Sequence, residues 1–141
     1  MKSDIILRAG IVPRISQMEE LFKETKWNEY DGTSLAVVQR SLAHSMDIIT
    51  AWDGEELIGL LRCVGDYYTI LYVQDIVVKS NHRRQGVGQE MLARLLSRYP
   101  TVKTRVVIAE NTPEISAFCH SCGFTEATSL GRRAYIQIQN S

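Results

Sequence analysis

The order of elements predicts an α+β fold of the three-layer, α/β type. In it a mixed, mostly antiparallel twisted sheet of six to seven strands carries helices on both faces. Three observations carry this reading. Turn signals join successive apolar strands in the first half of the chain. Strands then alternate with amphipathic runs in the second half. Three segments repeat their apolar residues at helical spacing, and a fourth opens with helix-start chemistry.

Residues 4–8 form a short apolar strand. Pro13 suits a first helical turn, and Ile15, Met18, Leu21 and Phe22 follow at helical spacing. Residues 26–32 break the pattern as a loop. Thr33 is placed to cap a second helix, whose inner face holds Leu35, Val38, Leu42 and Met46. A strand over 47–52 meets the turn Asp53-Gly54 and returns over 56–64. A turn near Gly65-Asp66 leads to the strand 71–78. The run from Gly86 to Arg98 is helical, Pro100 breaks the chain, and 102–109 is a strand. Thr112, Pro113 and Glu114 open a last helix that ends at Gly123. A short strand near 124–128 is an option, and Arg133–Ile138 alternates as a closing strand.

The 141 residues fit one domain spanning 1–141, and a 45% hydrophobic, 23% charged composition fits an ordered globular chain. Sixteen basic residues balance sixteen acidic ones, which argues against a nucleic-acid partner. No apolar run is long enough to span a membrane, and the N-terminus does not read as a signal peptide. With three cysteines and no sign of secretion, the expectation is a reduced, cytoplasmic protein.

The most informative stretch is Arg83-Arg84-Gln85-Gly86-Val87-Gly88, between an apolar strand and an amphipathic helix. The first N–H groups of a helix have no internal partner, and the helix dipole favours an anion there. Gly86 and Gly88 admit close approach of a ligand to the backbone, and Arg83 and Arg84 add positive charge. A phosphate-bearing cofactor is therefore expected. A P-loop is excluded because no Gly-Lys-[Ser/Thr] follows. A dinucleotide-binding turn is excluded because Met91 stands where its third glycine would be and no acid follows at the required distance.

The fuller pattern adds Ile76-Val77-Val78 before the glycine turn, Asn111 after the next strand, and a helix ending in Gly123-Phe124. So extended, the chain resembles the GNAT (GCN5-related) N-acetyltransferase superfamily. Residues 83–88 fit its [Arg/Gln]-x-x-Gly-x-[Gly/Ala] acyl-CoA signature. The resemblance covers the whole chain in element order and 47–124 in motif detail. It implies a GNAT-like fold with acetyl-CoA as co-substrate. Backbone groups of Ile76, Val77 and Val78 would pair with the pantetheine amides where the family's strand splays. Backbone N–H groups from Arg84 through Gln85, Gly86, Val87, Gly88 and Gln89 would cradle the pyrophosphate, with Asn111 near the pantetheine.

Acetyl transfer to an amine needs a neutral nitrogen, a polarised thioester carbonyl and a proton for the leaving thiolate. Direct attack in a ternary complex needs no covalent intermediate, and a strand N–H near Val77 would polarise the carbonyl. Asp75, a carboxylate inside an apolar strand, is either the base or a structural acid bonded to a loop or to Arg62. Glu110 is the alternative base. Where the family commonly has a tyrosine as general acid, this chain has Cys119; Tyr72, Tyr135 or water could stand in. Cys119 and Cys122 sit at the C-terminal end of a helix, where the dipole disfavours thiolate, and no second ligand pair suits a metal. His44 and His82 read as surface or packing residues.

In the family the N-terminal helices and their loop shape the acceptor site. Trp27, Glu29, Tyr30 and Asp31 combine aromatic faces with acids that suit a cationic amine. Arg62 and Asp66 could line the same cleft or simply pair. The reading is an acetyl-CoA-dependent N-acetyltransferase of a primary amine on a small molecule or peptide. Its rival is a catalytically silent acyl-CoA-binding or interaction module, suggested by Cys119. The alternating strand 135–138 leaves open a homodimer through a sheet edge.

Overall fold

The computed structural model describes residues 4–25, 30 and 32–139. It divides into two compact units, Met1–Ile108 and Ala109–Ser141. The first holds β1 (Ile5–Ala9), α1 (Ile15–Thr25), α2 (Leu35–Ala43), β2 (Asp47–Asp53), β3 (Glu56–Gly65), β4 (Ile70–Val78), α3 (Val87–Arg98) and β5 (Thr104–Val107). The second holds α4 (Pro113–Ser121) and a 3-10 turn (Ala127–Leu130).

The five strands lie in the order β1-β2-β3-β4-β5. The first three pairings are antiparallel, as short hairpins require, and the β4–β5 pairing is parallel across the α3 crossover. Gly54 takes the left-handed φ of +62° that the β2–β3 turn needs. Asp66 shapes the β3–β4 turn, accepting hydrogen bonds from the N–H groups of Tyr68, Thr69 and Ile70 at 2.9, 2.7 and 3.1 Å.

Side chains alternate across the sheet, so each strand feeds two cores. On one face Ile48, Trp52, Leu57, Leu60 and Val77 bury against Met18 and Leu21 of α1 and Val38 and Leu42 of α2. Ser34 caps α2, its Oγ accepting from the Val37 N–H at 3.3 Å. The cap thus falls one residue after the predicted Thr33. On the other face α3 presents Val87, Met91, Leu92 and Leu95, all buried. There Gly59 leaves room for Met91 between the layers; a Cβ would stand 3.1 Å from the Met91 Cε.

Five strands among the described residues correct the six to seven expected. Residues 124–126 form no strand, and 127–130 wind into the 3-10 turn. Arg133–Ile138 has strand composition but pairs with no strand among the described residues. Alternation alone cannot make a strand, because extended backbone needs a neighbour for its N–H and C=O groups. The strand expected over 102–109 contracts to Thr104–Val107.

Candidate active site

The site begins where β4 and β5 part. The two strands pair from Ile70↔Thr104 to Val73↔Val107, and there β5 ends while β4 continues to Val78. At the same level the β3–β4 register shifts between Arg62 and Cys63: Arg62 faces Asp75, Cys63 faces Val73, and Gln74 is the extra residue. This is a β-bulge, which bends the strand and re-aims the residues beside it. The Lys79 N–H then bonds the Ile58 carbonyl at 2.8 Å. Backbone groups alternate along a strand, so Val77 turns its N–H and C=O toward β3. Ile76 and Val78 turn theirs to the side that β5 has left. Of the three residues expected to offer backbone to pantetheine, these two face the open side.

Beyond β4 the chain turns through Ser80–His82 into α3. Arg84 and Gly86 both take left-handed φ, +62° and +81°, and Gly86 is the N-cap of α3. The helical ladder starts with the Glu90 N–H bonding the Gly86 carbonyl at 2.9 Å, so the N–H groups of Val87 and Gly88 precede it. Arg83 donates from Nε to the Val78 carbonyl at 3.0 Å, tying the loop back to the strand end. Arg84 and Gln89 are exposed. The Gln85 amide donates to the Asn81 carbonyl at 3.3 Å, while its buried Oε1 has no partner among the described residues.

Three pins that the sequence does not reveal hold this loop. Glu24, at the end of α1, accepts from the Ser80 N–H and hydroxyl. The Ser80 bonds hold its carboxyl below the usual range. Lys79 pairs with Glu56 at 3.6 Å. His82, expected at the surface or in packing, is buried, with Nε2 3.3 Å from Asp53 and Nδ1 2.8 Å from Asn81.

Beside the bulge lies a polar cluster in the apolar layer. Asp75 is buried, and its Oδ2 accepts from Arg62 Nε at 2.8 Å and from the Tyr30 hydroxyl at 2.7 Å. Arg62 also donates from Nη2 to Tyr30 at 3.0 Å and from Nη1 to Ser45 at 3.3 Å. Burial, reinforced by the bond to Asp75, pushes the Tyr30 phenol up to about 12, so it stays a donor at neutral pH. Burial opposes the charge on Arg62, but its bonds to Asp75 and Tyr30 outweigh this and hold its pKa above the ordinary value. The second carboxylate oxygen, Asp75 Oδ1, is buried with no hydrogen-bond partner among the described residues. A buried acceptor left unpaired is costly, which marks Oδ1 as a place for a donor.

The structure thus brings Tyr30, Arg62 and Asp75 together, and Ser45 joins them without having been foreseen. Asp66 does not, because its carboxylate is committed to the turn that it caps. Trp27, Glu29 and Asp31 lie outside the described residues. Glu110, Asn111 and Cys119 belong to the second unit. There Glu110 and Asn111 are exposed, and Cys119 lies half-buried in α4. Burial, and then the neighbouring Cys122, push the Cys119 thiol up. Cys119 and Cys122 are free thiols. Among the described residues no group of three His, Cys, Asp or Glu side chains could hold a metal ion, and no helix is long and apolar enough to cross a membrane.

The sheet's parallel pair thus splays at a bulge and is followed by a glycine turn into a helix. A sequence model described as the acetyltransferase (GNAT) family matches residues 13–124. The chain belongs to that family of N-acetyltransferase enzymes. A GNAT-family acetyltransferase protein from Streptococcus pneumoniae superposes with a TM-score of 0.84 at 25% identity, covering 97% of this chain and 99% of that one. AAC(6')-Iy, in complex with the bisubstrate analogue CoA-S-monomethyl-acetylneamine, is similar in fold at 15% identity and a TM-score of 0.72. That match covers 99% of this chain and 100% of the other. An aminoglycoside acetyltransferase from an uncultured soil metagenomic sample, in complex with sisomicin, matches at 16% identity and a TM-score of 0.70, over 98% and 96% of the two chains. No curated protein sequence matches the chain.

Proposed function

We propose that this protein transfers an acetyl group from acetyl-CoA to a primary amine of a small molecule or peptide, by direct attack in a ternary complex. The observation that carries this reading is the parting of β4 from β5 after Val73, directly before the Gly86–Gly88 helix start. The open side of β4 supplies backbone donors and acceptors to pantetheine amides, as another strand would. The turn supplies N–H groups and the positive end of the α3 dipole to a pyrophosphate. A substrate with both features in one chain is an acyl-CoA.

The chemistry then falls to the residues beside the splay. The Ile76 N–H is the donor nearest the bulge that can polarise a thioester carbonyl. Asp75 offers Oδ1 to the acceptor ammonium, while Arg62 and Tyr30 hold the carboxylate by Oδ2. Removal of the ammonium proton then runs to Asp75 or through water, the attacking nitrogen becoming neutral only when bound. The leaving thiolate takes its proton from water or from a phenol. The thiol of Cys119, at the position where the family commonly has a tyrosine, is the alternative donor, and burial raises its pKa. The acceptor's ammonium supplies N–H donors to the one unpaired oxygen of a buried acid whose other oxygen Arg62 and Tyr30 hold.

Calorimetric titration with acetyl-CoA tests the assignment. The unsubstituted protein is expected to bind in the micromolar range. Gly86→Glu, which puts a carboxylate and a strained φ at the turn, is expected to weaken binding by roughly 100-fold, the loss of one or two charge-assisted hydrogen bonds. No binding by the unsubstituted protein would end the acyltransferase reading. Binding without CoA release across diverse amines would favour the silent module instead.

A further inference from the structure

Of the three contacts that pin the loop before α3, two run to the sheet. Lys79 pairs with Glu56 and His82 meets Asp53, both at the β2–β3 hairpin. The third runs to a helix. Glu24 stands in the last turn of α1 and accepts from the Ser80 N–H, at 3.2 Å on Oε1 and 3.3 Å on Oε2, and from the Ser80 hydroxyl. The Ser80–His82 turn draws no side-chain cap from Lys79, the residue before it. Glu24 therefore supplies, from another element, the cap that this turn lacks.

That placement runs against two electrostatic preferences. The C-terminal end of a helix is partly negative and favours bases, such as the adjacent Lys23. A carboxylate at the rim of a pyrophosphate site also repels the ligand, and it draws on the cations Lys79 and Arg83. What the acid contributes there is its hold on Ser80.

The other end of that hold leads to the acceptor side. Thr25 closes α1, donating from Oγ1 to the Leu21 carbonyl at 2.8 Å. Tyr30 follows Glu24 closely in the chain, and Phe22 and Tyr30 pack against the same core cluster. The Tyr30 hydroxyl holds Asp75 Oδ2 at 2.7 Å. A short path thus joins the loop of the phosphate site to the carboxylate that faces the amine.

We propose that Glu24 is a positioning residue that seats the cofactor loop on α1 and so couples acetyl-CoA binding to the acceptor side through Tyr30. The inference rests on the acyl-CoA reading of the 83–88 turn. A loop already held in shape loses less freedom when a pyrophosphate arrives, which tightens binding. By linkage, a ligand at the loop favours the seated end of α1 and the Tyr30 hydrogen bond.

Calorimetry with CoA tests the seating, because the two conceivable effects of Glu24→Ala have opposite signs. Removing a carboxylate beside an anion site would, by charge alone, tighten binding. The positioning role predicts that Glu24→Ala weakens CoA binding roughly 5- to 10-fold, the loss of a cap. Glu24 is exposed and alanine suits the helix, so the fold is expected to hold. Ser80→Ala, which keeps its N–H, is expected to lose less, and Ser80→Thr to bind as the unsubstituted protein does. NMR of protein with isotope-labelled tyrosine rings tests the coupling, the Tyr30 signal being the one lost in Tyr30→Phe. Saturating CoA is expected to shift that signal in the unsubstituted protein, and to shift it much less in Glu24→Ala. Unchanged or tighter binding by Glu24→Ala overturns the proposal, and so does an equal Tyr30 shift in the two proteins. No CoA binding by the unsubstituted protein would overturn the acyl-CoA reading and this proposal with it.

Discussion

Arg62 and Asp75 form a buried pair that could serve packing alone or also hold the acceptor, and substitutions separate the two. Arg62→Met leaves a carboxylate buried without its cation, and losing one partner of such a pair costs about 3–5 kcal/mol. Removing both charges together, as Arg62→Met with Asp75→Leu, is expected to restore most of that stability, because a desolvated pair is often no better than an apolar one. Denaturant unfolding of the three proteins checks the ordering. If the pair only packs, the double variant keeps its turnover. The acceptor role predicts a folded double variant that binds acetyl-CoA normally and has lost amine acetylation by roughly 100-fold or more. Tyr30→Phe gives a milder version. It removes one donor to Asp75 Oδ2, costs about 1–2 kcal/mol, and should raise KM for the amine more than it lowers kcat.

At the scale of elements, the seating of α3 on the sheet decides where the glycine turn points. Gly59 of β3 is the contact that sets it, since a Cβ there would meet the Met91 Cε at 3.1 Å and the Ala51 Cβ at 3.2 Å. Met91 can swing aside but Ala51 cannot, so Gly59→Val is expected to cost about 1–3 kcal/mol by overpacking. It should also weaken acetyl-CoA binding without touching the ligand, which melting and calorimetry together would show. Much of this architecture was legible in the chain. Asp53-Gly54 announced its hairpin, and residues 83–88 announced the helix start, because both are local chemistry. The polar cluster was half legible. Asp75 stood out as an acid in an apolar strand with Arg62 as one possible partner, while the register shift at Gln74 beside that pair was not legible. Tyr30 reaches Asp75 across 45 positions, a distance that no local pattern spans. The splay was expected only through the family resemblance, because by themselves residues 74–78 read as ordinary strand core. Only the end of β5 at Val107 leaves their backbone open. The closing strand expected over 133–138 had the alternating pattern, but alternation alone does not supply the hydrogen-bonding neighbour that makes a strand.

For the whole molecule, two tyrosines make stability depend on alkaline pH in a definite direction. Tyr30 donates to Asp75 at 2.7 Å, tying the connection between α1 and α2 to β4. Tyr99 donates to the buried Asp47 at 2.8 Å, beside the Arg98 Nε at 2.7 Å, tying the end of α3 to the start of β2. Burial, with the adjacent carboxylate, pushes each phenol up to about 12, against about 10 for tyrosine in an unfolded chain. Below about pH 10 both states keep their phenolic protons, and the stabilisation is fully present. Between about 10 and 12 the unfolded chain releases protons that the folded protein retains. The unfolded state then binds fewer protons, so stability falls as pH rises through this window. The midpoint of denaturant unfolding is therefore expected to hold steady from about pH 7 to 9 and to drop above 10. Tyr30→Phe with Tyr99→Phe should start from a lower midpoint near pH 8, having lost both bonds, and fall less steeply thereafter. An equally steep fall in the double variant would shift the alkaline sensitivity to the lysines and arginines. The two phenols would then be hydrogen-bond anchors with no share in the pH response.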